Sequence, residues 1–83
     1  MAEQKLLQLT IARVDAPVFT GGVVSVTVPG TEGEMTIMAD HEAIISALKE
    51  GVVTYRLPAG EEETVSVTLG TLELRDNHAT ILI

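Results

Sequence analysis

The chain has 83 residues, enough for one small domain around a single hydrophobic core, and we treat residues 1–83 as that domain. It contains no cysteine, which excludes disulfide bonds, thiolate metal sites and a cysteine nucleophile. Its formal net charge of −7 repels phosphate backbones and anionic lipid headgroups, so we expect no nucleic-acid partner and no direct insertion into lipid.

The first predicted strand begins at Leu7, where apolar and polar residues start to alternate as they do in a strand with one buried face. Leu7, Leu9 and Ile11 share one face of this strand. Residues 15–17 end it, because the residue before a proline and the proline itself interrupt regular pairing. Phe19 follows and is predicted to face the core.

Residues 23–28 form the strongest predicted strand, because they are rich in β-branched side chains. Pro29 and Gly30 close it. The strand has apolar residues on both faces, with Val24, Val26 and Val28 on one side and Val23, Ser25 and Thr27 on the other.

The middle of the chain is the only part with a helical pattern. Residues 31–34 are predicted to form an acidic turn and residues 35–38 a short strand. Residues 41–49 then have the spacing of a helix of at most two turns, which ends before Gly51.

Residues 52–57 and 64–69 alternate on either side of a charged tip at residues 61–63, a pattern that predicts an antiparallel hairpin. The second of these strands is expected to turn three side chains inward: Val65, Val67 and Leu69. Residues 70–74 and 79–83, joined by a polar turn, predict a final hairpin.

Many short strands with turn signals between them indicate an all-β domain, either an antiparallel two-sheet sandwich or a small barrel. The core is expected to be aliphatic, because only 2% of the residues are aromatic. The residues predicted to be mostly buried are Leu9, Ile11, Val24, Val26, Ile37, Val53, Val65, Val67, Leu74 and Ile81. The strands with two apolar faces, residues 23–28 and 52–57, are predicted to leave an apolar patch exposed for a partner.

No run approaches the roughly 18 apolar residues of a membrane span, and residues 1–4 are acidic rather than basic. We therefore expect neither a membrane-spanning helix nor a signal peptide.

Catalytic and metal-binding patterns are weak. Asp40, His41 and Glu42 are ligand types, but sequence neighbours on a strand point in different directions, and His78 lies in another predicted turn. The glycines lack the spacing of phosphate-binding loops, and no serine has a histidine or aspartate at the spacing of a hydrolytic site. We expect no catalytic residue, no metal and no cofactor.

Several spaced motifs resemble the ε subunit of F-type ATP synthases. The family's G-x-x-G turn, histidine turn and L-x-A-L-K-x-G segment correspond to residues 30–35 (GTEGEM), 40–43 (DHEA) and 46–53 (SALKEGVV). The opening strand with its F-T-G-G turn and the later segment GTLEL agree as well, so the resemblance covers nearly the whole chain in order. Ala39 and Asp40 replace the family's proline and glycine before His41, so that turn is expected to differ in shape.

The resemblance implies a β-sandwich that works mechanically rather than chemically. Such a subunit would be a non-catalytic central-stalk (rotor) part that binds the γ subunit and contacts the polar loops of the c-ring, so that ion translocation is coupled to ATP synthesis. It would sit peripherally on the cytoplasmic face of the energy-transducing membrane. The family usually continues into two inhibitory C-terminal helices, and this sequence ends at Ile83 without them.

The resemblance also supplies the candidate site. The residues that match the edge facing the c-ring loops are Gly30, Thr31, Glu32, Gly33, Glu34 and His41. We expect Glu32, Glu34 and His41 to lie together at one end of the sandwich. Two other interpretations stay open. One is a free-standing acidic β-sandwich that binds another protein, and the other is a small metal-assisted enzyme that uses Asp40, His41, Glu42 and His78.

Overall fold

The computed structural model describes residues 5–83. The strands are β1 (Leu7–Arg13), β2 (Ala16–Val23), β3 (Ser25–Gly30), β4 (Gly33–Met38), β5 (Ile44–Leu48), β6 (Gly51–Arg56), β7 (Glu62–Val67), β8 (Gly70–Arg75) and β9 (His78–Leu82). No helix long and apolar enough to cross a membrane occurs in this described part of the chain. The prediction about residues 1–4 lies outside it.

The strands form one sheet that curls into two layers. Its order is β2-β1-β9-β8-β5-β3-β6-β7, and β4 pairs with the other side of β3. One layer therefore contains β2, β1, β9, β8 and β5, and the second contains β4, β3, β6 and β7. The layers join where Gly30 pairs with Leu48 and the Thr31 N–H donates to the Ala47 carbonyl at 3.0 Å. This confirms the all-β sandwich.

One pair of strands is parallel, in contrast to the predicted all-antiparallel sheet. β1 and β9 run side by side in the same direction, with Leu9 beside Ala79 and Ile11 beside Ile81. The two strands lie at opposite ends of the sequence, so no hairpin constrains their relative direction. Alternation predicts which residues of a strand face the core but not which strand lies beside it.

The core is aliphatic, as predicted, and it contains no buried polar side chain among the described residues. Eight of the ten predicted core residues are buried, whereas Val24 and Val65 are only half-buried. Val24 lies between β2 and β3, and Val65 lies on β7, which has a neighbour on one side only. The buried residues absent from the predicted set are Leu7, Val23, Val28, Leu48, Tyr55, Leu72 and Ala79.

The predicted helix is wrong. Residues 44–48 of it are β5, which pairs with β8 over five consecutive residues, and residues 41–43 are an irregular connection. Ile44 and Leu48 face the core side, whereas Ile45 is exposed. That two-residue period competes with the helical spacing in a short apolar run, and pairing with β8 decides between them.

Both predicted hairpins are confirmed, because β6 pairs with β7 and β8 pairs with β9 in antiparallel register. Leu69 lies beyond the end of β7 and is 77% exposed, so the prediction that it faces inward is wrong. The first strand ends at Arg13, and Pro17 lies within β2 rather than in a break. β2 can hold a proline because it is an edge strand, where one side needs no ladder hydrogen bonds.

Candidate functional site: the β4 edge

β4 is paired on one side only. Its register runs along the whole of β3, from the Gly33–Gly30 pair to the Met38–Ser25 pair, and no other described strand pairs with it. Its outer side therefore presents unpaired backbone N–H and C=O groups, which are a ready site for contact with another chain. We define the β4 edge as this strand together with the turn before it (residues 31–32) and the turn after it (residues 39–41).

The turn before β4 is a tight two-residue connection that holds two acidic side chains in solvent. Gly33 has φ +135°, a conformation that side chains rarely adopt. A Cβ on Gly30 would meet the Gly33 carbonyl oxygen at 2.7 Å, so both glycines are required by the geometry of this turn. Glu32 and Glu34 are exposed on either side of Gly33.

A shallow cleft lies between this turn and β5. Its volume is about 310 Å³. Met35, Ile44 and Ser46 contribute to its lining, and the acidic Glu32 and Glu34 lie at the same cleft. This arrangement suits a protein loop that brings an apolar group together with a positive charge.

The turn after β4 carries His41. Asp40 has φ 64°, a left-handed conformation that aspartate tolerates better than most residues, and the His41 N–H donates to the Met38 carbonyl at 3.4 Å. The Lys5 ammonium and the Asp40 carboxylate form an exposed ion pair of 2.6 Å. The exposed His41 ring donates from Nδ1 to the Glu42 carbonyl at 2.8 Å, which leaves Nε2 as the free ring nitrogen.

The expected cluster of Glu32, Glu34 and His41 at one end of the sandwich is wrong in one respect. Glu32 and Glu34 lie together at the start of β4, but His41 follows its other end. At about 3.3 Å per residue, the six residues of β4 separate the two turns by about 20 Å. The residues are therefore spread along one open edge, and the sequence motif could not show this spacing.

Three further features of the edge lie outside the candidate site residues, and two of them, Asp40 and Glu42, were singled out from the sequence only as weak metal-ligand types. Asp40 and Glu42 add carboxylates beside His41, so both ends of β4 are acidic. Met38, the last residue of the strand, is 57% exposed. The motif that includes Asp40 and Glu42 was the available signal for these charges, whereas only the strand pairing reveals the exposure of Met38.

The geometry offers little for metal or acid–base chemistry. No three His, Asp or Glu side chains are grouped to hold a metal within residues 5–83. His78 and His41 have different partners: the His78 Nε2 shares a hydrogen bond of 3.0 Å with the Thr10 hydroxyl, whereas the His41 Nδ1 donates to the Glu42 carbonyl.

A second surface is apolar, and it lies away from the predicted strands. Of the residues in β3 and β6, only Val52 is a large exposed hydrophobic side chain. Instead Val14, Leu69 and Leu82 are exposed and line a common groove of about 650 Å³. The apolar patch thus belongs to the turns and strand ends near Gly70 rather than to a strand face.

Comparison with known proteins gives a consistent family. The family model described as "ATP synthase, Delta/Epsilon chain, beta-sandwich domain" matches residues 6–83. The ATP synthase epsilon chain of a Nitratiruptor species is 38% identical over 77 residues, which cover 93% of this chain and 60% of that relative. The chain thus spans less than two thirds of the length of this curated relative.

Solved structures share the fold. A chain from the cryo-EM structure of the Euglena gracilis mitochondrial ATP synthase, containing OSCP, F1 and the c-ring, superposes with a TM-score of 0.87 at 24% identity, over 93% of this chain and 49% of that one. A chain from the central stalk and c-ring of the Tetrahymena thermophila mitochondrial ATP synthase gives 0.81 at 16% identity, over 98% and 65%.

Proposed function

The chain belongs to the family of ATP synthase delta/epsilon-chain β-sandwich domains, and from this premise we propose that it is a non-catalytic part of the central stalk of an F-type ATP synthase. In this role it binds the γ subunit and contacts the polar loops of the c-ring, so that ion translocation is coupled to ATP synthesis. It sits peripherally on the membrane-bound complex, on the cytoplasmic face.

The observation that carries this proposal is the β4 edge with its two acidic ends. Glu32 lies in the turn before the strand and Glu34 lies near its start. Asp40, His41 and Glu42 follow the strand, and all five residues are exposed. A ring of partner loops presents the same polar groups repeatedly, and an extended edge can contact more of them than a compact cluster can. Charges at such a rim steer and align the partners more than they add affinity.

The apolar groove is our candidate for the γ-facing surface. Val14, Leu69 and Leu82 expose aliphatic side chains that gain stability when a partner removes them from water. In the proposed role the chain has two partners, so it needs two contact surfaces. The groove and the β4 edge differ chemically, the first being apolar and the second acidic.

The test is coupling in a reconstituted holoenzyme that contains Glu34→Gln or His41→Ala. Glu34→Gln removes a charge and His41→Ala removes the imidazole ring, and both side chains are exposed, so neither change alters the core. The ratio of ATP-driven ion pumping to ATP hydrolysis should therefore fall while folding and γ binding are retained. The effect should be larger at low salt, because exposed charges are screened over about 10 Å at 0.1 M salt.

The matched control is Glu61→Gln, which makes the same chemical change at the exposed tip before β7. It should leave coupling unchanged. If both edge variants pump with wild-type efficiency at low and high salt, the edge is not the ring contact. Failure of the chain to co-purify with a γ subunit from the same source would instead favour a free-standing acidic binding module.

A further inference from the structure

Asn77, in the turn between β8 and β9, connects three separate parts of the chain. Its side-chain Oδ1 accepts a hydrogen bond from the Asp40 N–H at 2.9 Å, and its Nδ2 donates to the Leu6 carbonyl at 2.9 Å. Its own carbonyl accepts from the Gln8 N–H at 3.1 Å. The orientation of the amide follows from its partners, since a carbonyl can only accept and a backbone N–H can only donate.

The other contacts that hold the Asp40–His41 turn are weaker. The Lys5–Asp40 ion pair is exposed, with 68% and 58% of the two side chains accessible, and exposed pairs contribute little. The hydrogen bond from His41 to Met38 is long at 3.4 Å and lies within the turn itself. The bond from Asn77 therefore ties this turn to the rest of the sandwich.

The backbone conformation at position 77 would favour glycine, yet the residue there is asparagine. Arg75 pairs with His78, so Asp76 and Asn77 form a two-residue hairpin turn, and both have positive φ, 50° and 61°. Glycine is the favoured residue at the second position of such a turn, because it adopts positive φ without strain. Asparagine tolerates the conformation and adds an amide, and both ends of that amide are used.

We propose that Asn77 is a positioning residue that clamps the Asp40–His41 turn to the segment before β1 and thereby fixes where His41 stands at the end of the β4 edge. The link from this clamp to rotor function depends on the function proposed above. The clamp itself is a property of the isolated chain.

Amide hydrogen exchange followed by NMR on the full chain tests the clamp. Asn77→Gly keeps the turn conformation and removes both side-chain hydrogen bonds, so exchange of the Asp40 amide should accelerate about fivefold to tenfold, the effect of losing one hydrogen bond. Amides of the β6–β7 hairpin should keep their wild-type rates. Asn77→Asp retains an acceptor for the Asp40 N–H and should restore part of the protection.

The matched control is Asp76→Gly, which makes the same kind of change at the neighbouring position and removes an exposed carboxylate together with its exposed ion pair to Arg75. It should leave the Asp40 amide unchanged. If Asn77→Gly leaves the Asp40 amide protected, or accelerates the β6–β7 amides equally, Asn77 has no positioning role.

Coupling assays separate this proposal from the function on which it builds. In the holoenzyme, Asn77→Gly should lower the pumping-to-hydrolysis ratio in the same direction as His41→Ala. If the Asp40 amide is loosened but both variants couple normally, the clamp stands and the ring-contact role of His41 is overturned. If His41→Ala uncouples and Asn77→Gly loosens nothing, the clamp is overturned and the ring contact stands.

Discussion

Positive φ in non-glycine residues is confined to Asp40, Asp76 and Asn77 within residues 5–83. All three belong to the residue types that adopt this conformation at least cost. Asp40 and Asn77 are also hydrogen-bonded to each other. The turn that carries His41 and the β8–β9 turn thus both contain residues with positive φ, and a hydrogen bond joins them.

Tyr55 can be titrated without interference, because it is the sole tyrosine and the chain has no tryptophan. Burial, and then the nearby Glu63 carboxylate, raise the pKa of its phenol above the ordinary value of 10.0. The unfolded chain ionises at lower pH than the folded one, so Tyr55 should reduce stability as pH rises above 10 and have no such effect below it.

The phenolate absorbs in the near ultraviolet, so a pH titration of the folded chain reads Tyr55 directly. Glu63→Gln should lower the midpoint only in part, because burial is the larger cause. Tyr55→Phe should make the free energy of unfolding fall less steeply as the pH rises above 10, because phenylalanine has no phenol to ionise. A midpoint at the value of free tyrosine would contradict the packing of this ring against Phe19, whose centroid lies 4.5 Å away.

The three edge strands differ in how they are protected from pairing with other chains. β2 contains Pro17, and its pairing with β1 shifts register after Ile11 of β1. β7 begins with the acidic Glu62 and Glu63. Such features discourage pairing at a sheet edge. β4 carries a single charge, Glu34, and ends on the exposed Met38. β4 is therefore the edge least protected from contact.

Hydrogen exchange of the isolated chain should show this asymmetry. Alternate amides of β4 point away from β3, so they should exchange quickly while the intervening amides are protected. β3 is paired on both sides around Val26 and should lack this alternation there. Uniform protection along β4 would mean that its outer side is covered, for instance by a second copy of the chain.

A single core joins the two layers, and apart from Tyr55 the buried side chains of the described residues are aliphatic. Contacts across the layers include the Phe19 and Tyr55 rings, which come from β2 and β6. A domain of this size has only a few kcal/mol of net stability to lose. Its fold should therefore be sensitive to the removal of one core side chain.

Two leucine-to-alanine changes compare the core with the surface. Leu72 is 0% exposed and Leu69 is 77% exposed. Leu72→Ala should lower the free energy of unfolding by about 2–5 kcal/mol, because it leaves a cavity, whereas Leu69→Ala should change it by less than about 0.5 kcal/mol. Denaturant unfolding measures both. Equal losses would place Leu69 in the core rather than in the groove.

The sequence predicts most of the strands and only part of the candidate site. Alternation identified β1 and the two late hairpins, because a two-residue period over five or more residues is specific to strands. It missed β5, where a short apolar run fits both a helix and a strand. The motif singled out Glu34 and His41, but strand pairing placed them at opposite ends of β4.

The sequence by itself determined the all-β class, the aliphatic core and the family, because strand periodicity, composition and motif spacing are local properties of the chain. The tertiary structure decided which strands are neighbours, which edge is open and which polar groups meet. Asn77 and Asp40 are 37 residues apart, yet they share a hydrogen bond. Such contacts depend on how the sheet closes around its core, and no local pattern encodes that closure.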